Sequence, residues 1–147
     1  MTPRPFLAGL LFALALPAHA LEYRSTARPA LLYDAPSTAA ARLAVAGIGL
    51  PLEIVVDTEA WVKVRDPGGR LAWIEKAALG SVRTVMVKAE TGSSVRAQPR
   101  ADAEIVFRAA PGVLLTPTGN ADPYGWLPVK HADGLAGWLP SHEVWGE

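Results

Sequence analysis

Residues 61–75 read WVKVRDPGGRLAWIE, two short apolar-rich runs separated by a turn. In the first run, Val62 and Val64 alternate with Trp61 and charged residues, which is the period of a strand with one buried face. The Asp-Pro-Gly-Gly segment supplies a proline for the second position of a turn and, in Gly69, a residue that tolerates a positive φ angle. The stretch therefore predicts a β-hairpin in which Trp61 points away from the side of the two valines.

The same pattern occurs a second time further along the chain. With a shift of 63 residues, LYDAPSTAAARLAVAGIGLPL aligns with VRAQPRADAEIVFRAAPGVLL. With a shift of 65 residues, WVKVRDPGGRLAWIEKAAL aligns with WLPVKHADGLAGWLPSHEV. The matched pairs include Trp61 with Trp126, Gly69 with Gly134, and Trp73 with Trp138. Because apolar, glycine and tryptophan positions stay in step over about fifty residues, the chain contains a tandem duplication.

Each copy contains several short strands with turn signals between them, which is typical of a small β-barrel or sandwich. The β-branched run Leu52–Val56 predicts a buried strand, and TVMVK, in the link between the copies, predicts another. Pro128 cannot donate to a ladder, so its strand should be an edge at that point or carry a bulge. The segments EKAAL and PSHEV predict single helical turns at most. We therefore expect an all-β chain with domains over residues 21–80 and 81–147.

The first twenty residues have the features of a secretory signal. Arg4 precedes an apolar run that is too short to cross a bilayer, which needs about twenty residues. Ala18 and Ala20 provide the small side chains that signal peptidase requires before its cleavage site. We expect residues 1–20 to be removed and the protein to be exported, to the periplasm or beyond the cell. An uncleaved anchor is the alternative. No later segment is long and apolar enough to predict a membrane span.

The composition excludes several classes of function. The chain has 14 basic and 14 acidic residues and no cysteine. Without a basic stripe, nucleic acid is not an expected partner, and without cysteine there is no disulfide, lipid attachment or thiol nucleophile. His131, Asp133, His142 and Glu143 lack a spacing that would place them together as metal ligands or as an acid–base pair. We therefore expect no catalytic residues, no metal, no cofactor and no enzymatic activity.

The order of the motifs resembles a known family. The marks in the first copy are Pro36, Gly49, Trp61–Val64, Gly69 and Ala72–Ile74, and those in the second are Pro99, Gly112, Trp126–Val129, Gly134 and Gly137–Leu139. They resemble the bacterial SH3 (SH3b) domain, and more closely the SH3_4 type of exported tandem protein, whose marks appear as GLPLEIV, RTVMV and the terminal VWGE. The resemblance implies two tandem SH3-like small β-barrels after the signal peptide.

The same resemblance implies a non-enzymatic binding module of the cell envelope. Its expected ligand is cell-wall (peptidoglycan) peptide. A periplasmic adaptor that binds another envelope protein and has no wall affinity is the alternative, because one fold supports many functions. Nothing in the sequence points to a particular oligomeric state.

The candidate ligand-binding residues are aromatic. Trp61 and Trp126 point outward by the alternation of their strands, and a large rigid ring offers contact area at low entropic cost. Tyr33, Tyr124 and Trp145 are candidates to extend such a groove. The alternative is that each tryptophan packs under a loop or against the other copy, because tryptophan is usually mostly buried.

The other matched residues are predicted to be structural. Trp73 and Trp138 follow a small residue on the returning strand, so we expect them to pack in the core or on the hairpin. Gly69 and Gly134 are expected to form the turns.

Overall fold

The computed structural model describes residues 20–147, and its strands form two sheets that follow one another along the chain. The first sheet has the strand order β1-β4-β5-β6-β2-β3. Its strands are β1 (Tyr23–Ser25), β2 (Ala30–Tyr33), β3 (Arg42–Ala46), β4 (Pro51–Asp57), β5 (Trp61–Arg65) and β6 (Leu71–Glu75). The all-β prediction is confirmed. The predicted signal peptide, apart from Ala20, lies outside the described residues.

The second sheet repeats the first strand by strand, with the order β13-β7-β10-β11-β12-β8-β9. Its strands are β7 (Val85–Val87), β8 (Ser93–Arg96), β9 (Ile105–Ala109), β10 (Leu114–Pro117), β11 (Trp126–Lys130), β12 (Ala136–Pro140) and β13 (Val144–Trp145). β13 pairs with β7, and in the first repeat a single bridge between Thr26 and Leu79 takes the equivalent place.

The predicted hairpin is β5–β6, and β11–β12 is its second copy. In the first hairpin the backbone N–H of Gly69 donates to the carbonyl of Asp66 at 2.9 Å, and Gly69 has φ +87°. In the second, Gly134 donates to His131 at 3.0 Å and has φ +97°. Glycine adopts this left-handed conformation without the steric cost that a Cβ brings. Both turns therefore use glycine where the chain reverses.

Each repeat has its own hydrophobic core, formed by the inward side chains of its hairpin and of the strands around it. In the first, the buried residues are Leu32, Ala46, Leu52, Val62, Val64, Ala72, Ile74 and Ala78. In the second, they are Val85, Val87, Val95, Ala109, Leu115, Leu127, Val129, Leu139 and Val144. The alternation in each hairpin strand thus places valine or leucine inward and tryptophan outward.

Trp73 and Trp138 do not enter these cores. Trp73 lies opposite Lys63, and Trp138 lies opposite Pro128, and both tryptophans are half-buried. Since residues opposite each other in antiparallel strands share a face, both lie on the outer face. Of the two positions predicted for them, the core is excluded and packing on the hairpin remains.

β4 is only partly the buried strand that its β-branched residues predict. Leu52 is fully buried, whereas Val55 and Val56 are 41% and 43% exposed. β1 covers β4 only as far as Glu53, and the register with β5 shifts between Ile54 and Val56. The second half of β4 therefore extends beyond the strands that bury its beginning.

The smaller elements agree with the sequence. Short 3-10 turns occupy Lys76–Ala78 and Ser141–Glu143, and TVMVK contains β7. The regular ladder between β10 and β11 ends at Val129, and at Pro128 only the carbonyl still bonds to the neighbouring segment, accepting from the backbone N–H of Thr118 at 2.9 Å. Within residues 20–147, no helical segment has the length and hydropathy to cross a bilayer.

The two repeats meet along a seam that we define by Tyr23, Ser25, Pro51, Thr84 and Trp145. The indole Nε1 of Trp145 donates to the carbonyl of Pro51 at 3.0 Å, and its ring meets Tyr23 edge to face, with centroids 5.3 Å apart. The hydroxyls of Ser25 and Thr84 are 2.7 Å apart. Polar and aromatic contacts therefore join residues that are far apart in the sequence.

Candidate functional site

The outer face of the first sheet contains a groove beside Trp61. The rings of Trp61 and Tyr33 meet edge to face, with centroids 5.5 Å apart and an interplanar angle of 84°. Tyr33 is 7% exposed, whereas Trp61 is half-buried and keeps part of its ring open to solvent. Two adjoining depressions, of about 460 and 250 Å³, share Arg28 and Glu75. We call this the first groove, with lining residues that include Arg28, Leu31, Tyr33, Val45, Glu59, Trp61, Glu75 and Lys76.

The second sheet has a groove of about 410 Å³ beside Trp126. We call it the second groove, with lining residues Thr91, Ser93, Ser94, Arg96, Arg108, Trp126, Pro140 and Glu143. Trp126 is half-buried, as Trp61 is.

The two grooves occupy the same place in the two repeats. Their corresponding residues are Arg28 and Thr91, Leu31 and Ser94, Tyr33 and Arg96, Val45 and Arg108, Trp61 and Trp126, and Glu75 and Pro140. Most of these pairs differ in chemistry, and only the tryptophan is common. A depression that persists through so much substitution belongs to the fold and not to one side chain.

The first groove has an aromatic and apolar wall, and each of its two cations has an acidic partner, Glu75 for Arg28 and Asp57 for Lys76. The guanidinium of Arg28 lies 3.7 Å from the carboxylate of Glu75. Val45, on the edge strand β3, is 68% exposed. This groove thus offers ring and aliphatic surface next to a neutralised ion pair.

The second groove is polar and basic. Nη1 of Arg96 donates to the carbonyl of Ala103 at 2.8 Å, and Nη1 of Arg108 donates to the hydroxyl of Ser94 at 3.0 Å. The carboxylate of Glu143 accepts a hydrogen bond from the hydroxyl of Ser93. Both arginines therefore have neutral hydrogen-bond partners, while the acidic side chain of the groove is held by a hydroxyl.

The structure places only some of the predicted aromatic residues together. Trp61 and Tyr33 are in contact in the first groove, and Trp126 lines the second. Tyr124 is 89% exposed and does not line the second groove. Trp145 lies at the seam between the repeats.

The loop that carries Tyr124 is closed by Asp122. One carboxylate oxygen of Asp122 accepts from the backbone N–H groups of Tyr124 and Trp126, at 2.9 Å each. These bonds fix the backbone that leads into Trp126, while the tyrosine ring stays in solvent. The position of Tyr124 in sequence beside Trp126 does not bring its ring to the groove.

Sequence reasoning missed Arg96 and Arg108. In the repeat alignment they correspond to Tyr33 and Val45, an aromatic and an aliphatic residue, which give no signal of a basic pair. Their proximity depends on the pairing of β8 with β9, in which Ser94 lies opposite Arg108.

The histidine and acidic candidates belong to turns. His131 Nδ1 lies 3.0 Å from Asp133 Oδ1 in the β11–β12 turn. The backbone N–H of Leu135, and after it His131, lower the pKa of the Asp133 carboxyl. Across the part of the chain that the structure describes, no three His, Asp or Glu side chains are grouped as metal ligands would be.

The family of the chain follows from a comparison with known proteins. The sequence pattern of the bacterial SH3 domain matches residues 26–80 and again 89–146, which together are more than half of the chain. The chain belongs to the bacterial SH3 domain family. This tandem bacterial SH3 protein thus has the two SH3-like units that its repeat predicts, and bacterial SH3 domains are binding modules.

Solved structures similar to this bacterial SH3 protein include NlpC2 and NlpC1 from Trichomonas vaginalis. They are 12% and 13% identical to it, each with a TM-score of 0.40. The matches cover 89% and 98% of this chain but 50% and 52% of the other two, so the chain spans about half their length. Among curated proteins, none matches it.

Proposed function

We propose that this tandem bacterial SH3 protein is an exported, non-enzymatic binding protein of the cell envelope that recognises cell-wall (peptidoglycan) peptide. The observation that carries the proposal is the pair of corresponding grooves, each beside a half-buried tryptophan. Export follows from the signal sequence expected over residues 1–20. The family membership supports a binding role.

The size of the grooves suits a short segment of peptide. Sites for small ligands usually measure about 300–1,000 Å³ and combine an apolar wall with a few polar groups. The first groove has depressions of about 460 and 250 Å³, and the second has one of about 410 Å³. In each, the tryptophan provides the large apolar surface and the surrounding side chains provide hydrogen-bonding groups.

An adaptor for another envelope protein is a second candidate, and exposed apolar side chains support it. β3 is an edge strand of the first sheet, and its Leu43 and Val45 are 42% and 68% exposed. An edge strand with exposed apolar side chains is suited to pairing with a strand from a partner protein.

Co-sedimentation with purified sacculi distinguishes the two functions. We expect the protein without residues 1–20 to pellet with sacculi, and Trp61→Ala and Trp126→Ala each to weaken binding by about tenfold or more, as for a central aromatic residue of an interface. Trp73→Ala is the matched control, because Trp73 is also on the outer face and half-buried but lines neither groove.

Circular dichroism spectra of all variants establish that they are folded. Failure of the wild-type protein to pellet would exclude wall binding and favour the adaptor. If the wild type pellets and both groove variants pellet as well as Trp73→Ala does, the wall is the ligand but the tryptophans are not its site.

A further inference from the structure

We propose that the second groove binds a carboxylate group of the cell-wall peptide through Arg96 and Arg108, and that the first groove lacks this capacity. The inference rests on the proposed function and adds the chemical group that one of the two sites takes. It makes the two repeats different in specificity although their grooves correspond in position.

The pairing of the strands places both arginines on the outer face of the second sheet. Arg108 lies opposite Ser94 in the β8–β9 ladder, and Arg96 lies opposite Trp138 in the β8–β12 ladder. Both line the groove that Trp126 borders. A ligand that contacts the ring of Trp126 therefore lies within the reach of two guanidinium groups.

Neither guanidinium is neutralised by a carboxylate of the described chain. For residues 20–147, no Asp or Glu oxygen lies within 4.0 Å of a nitrogen of Arg96 or Arg108. The arginines that do have such a partner are Arg24, Arg28, Arg65, Arg70 and Arg100. Two guanidinium charges without an ion-pair partner thus border one depression.

The hydrogen bonds that position these arginines leave donors available. A guanidinium has five N–H donors in a planar fork, and Arg96 and Arg108 each use Nη1 for one bond to a neutral oxygen. Glu143, the acidic residue of the groove, is hydrogen-bonded to the buried Ser93. The groove therefore retains a net positive charge and unused N–H groups.

The fork geometry selects the ligand. Arginine binds carboxylates through paired, charge-assisted N–H···O bonds, which are stronger and more directional than bonds between neutral groups. Cell-wall peptides end in a free α-carboxylate and contain acidic side chains. Their carboxylates provide the ion-pair partner that Arg96 and Arg108 lack, and the aliphatic part of the peptide would lie against Trp126.

The first groove cannot bind a carboxylate in the same way. Tyr33 and Val45 take the places of Arg96 and Arg108. Its two cations already have acidic partners, since Arg28 lies 3.7 Å from Glu75 and Lys76 lies 2.7 Å from Asp57. The duplication has therefore produced one neutral aromatic site and one basic site.

Sacculi with blocked carboxyl groups test the inference directly. The protein is co-sedimented with native sacculi and with sacculi whose carboxyl groups have been converted to methylamides. We expect amidation to weaken wild-type binding by about tenfold or more, the scale of a lost charge-assisted bond. The Arg96→Gln/Arg108→Gln double variant should bind native sacculi as weakly as the wild type binds amidated sacculi, and amidation should not weaken it further.

Two further variants control for folding and for general charge. Arg108→Gln alone changes an exposed side chain and leaves the bond from Arg96 to Ala103 intact. We expect it to give part of the loss. Arg100→Gln removes one positive charge from the same repeat at a residue that does not line the groove, and it should bind as the wild type does.

A small probe separates this inference from the proposed function. N-acetyl-D-alanyl-D-alanine and its C-terminal amide are titrated into the protein, and the indole N–H signal of Trp126 is followed by NMR. We expect the acid to shift this signal at concentrations at which the amide does not, and the double variant to respond to neither. Equal shifts from acid and amide, or equal binding to native and amidated sacculi, would overturn the inference and leave wall binding standing. Shifts by the acid alone, without binding to sacculi, would instead remove the proposed function.

Discussion

Gly137 has the inward position that Ala72 has in the first hairpin, and the two sites differ in the space available. A Cβ built on Gly137 would lie 2.5 Å from the carbonyl oxygen of Arg96 and 2.8 Å from the side chain of Val95. At the equivalent position, Ala72 is 2% exposed and packs in the core. The backbone of β8 therefore lies close to β12 at Arg96, one of the two arginines of the second groove.

We expect Gly137→Ala to lower the free energy of unfolding by about 1–3 kcal/mol, the usual cost of overpacking. The added methyl group meets backbone, which moves less easily than the end of a flexible side chain. Gly68→Ala is the matched control, because a Cβ there would meet only the Asp66 side chain, at 3.3 Å. Urea denaturation measures both variants. Equal stabilities would contradict a close approach of β8 and β12 at Gly137.

At the residue scale, the sequence predicts orientation well where one strand is sufficient. Alternation within WVKVR places Trp61 outward, as the structure does. To predict the orientation of Trp73, the register of the hairpin is needed as well. It lies opposite Lys63 and shares the face of Trp61, whereas the usual burial of tryptophan suggested the core as one of its two places. The proximity of Arg96 and Arg108 was not predictable even from one hairpin, because it follows from a pairing of strands that the sequence does not specify.

At the scale of elements, β1, β4 and β5 form one side of the first sheet around a buried carboxylate. Tyr23 lies opposite Glu53, and Glu53 lies opposite Arg65. Glu53 is 7% exposed, and Nη1 of Arg65 donates to both of its carboxylate oxygens, at 3.0 and 2.9 Å. Burial, and after it the charge of Glu53, raises the pKa of the Tyr23 phenol, while Arg65 acts in the opposite direction.

This raised pKa predicts a loss of stability at alkaline pH. A tyrosine in the unfolded chain ionises near pH 10, whereas folded Tyr23 holds its proton to higher pH. The unfolded state therefore releases a proton that the folded state keeps, so stability is fully present below about pH 10 and declines as the pH rises above it. We expect Tyr23→Phe to reduce this decline.

Thermal unfolding midpoints at about pH 8.5 and pH 11, either side of the tyrosine value, measure the effect. Tyr124→Phe is the control, because Tyr124 is 89% exposed. It should lose as much stability between the two pH values as the wild type does. An identical loss in Tyr23→Phe would show that the surroundings of Tyr23 do not resist its ionisation.

Elements were predictable to the extent that local pattern determines them. The hairpins, their glycine turns, β7 and the two short 3-10 turns all have local signals. The burial of β4 has no such signal. Its β-branched residues indicate a strand, but they do not indicate which part of that strand a neighbouring strand covers. β4 becomes exposed beyond Glu53, the last residue that β1 covers, and this depends on how two strands distant in sequence are aligned.

At the scale of the whole molecule, the last residues of the chain join the two repeats. Trp145 extends from β13 to the first repeat, where its Nε1 donates to Pro51 and its ring meets Tyr23. A Cβ on Gly146 would lie 2.7 Å from the ring of Pro51, so the backbone itself is close to the first repeat. The repeat alignment places no tryptophan at the end of the first copy, and the contact joins residues 94 positions apart. Of the two places that the sequence left open for Trp145, a groove or the contact with the other copy, the structure has the second.

We expect Trp145→Ala to separate the unfolding of the two repeats. The substitution removes the aromatic contact and the indole hydrogen bond, which should lower stability by about 2 kcal/mol or more. With the seam weakened, each repeat unfolds according to its own core, so the two should no longer share one transition. Trp145→Phe keeps an aromatic ring against Tyr23 but has no donor for Pro51, and it should have an intermediate effect.

Residue-resolved NMR through a urea titration gives separate midpoints for the first and second repeats. In the wild type we expect the midpoints to coincide, since the seam couples the two cores. Trp73→Ala, which removes a tryptophan of one repeat outside the seam, should lower stability without separating them. Coincident midpoints in Trp145→Ala would mean that the remaining bonds between the repeats, which join Thr84 to the hydroxyl of Ser25 and to the carbonyl of Gly49, are sufficient for coupling. Separated midpoints would show that Trp145 couples the two repeats. Trp145 would then also hold the neutral groove of the first repeat in place relative to the basic groove of the second.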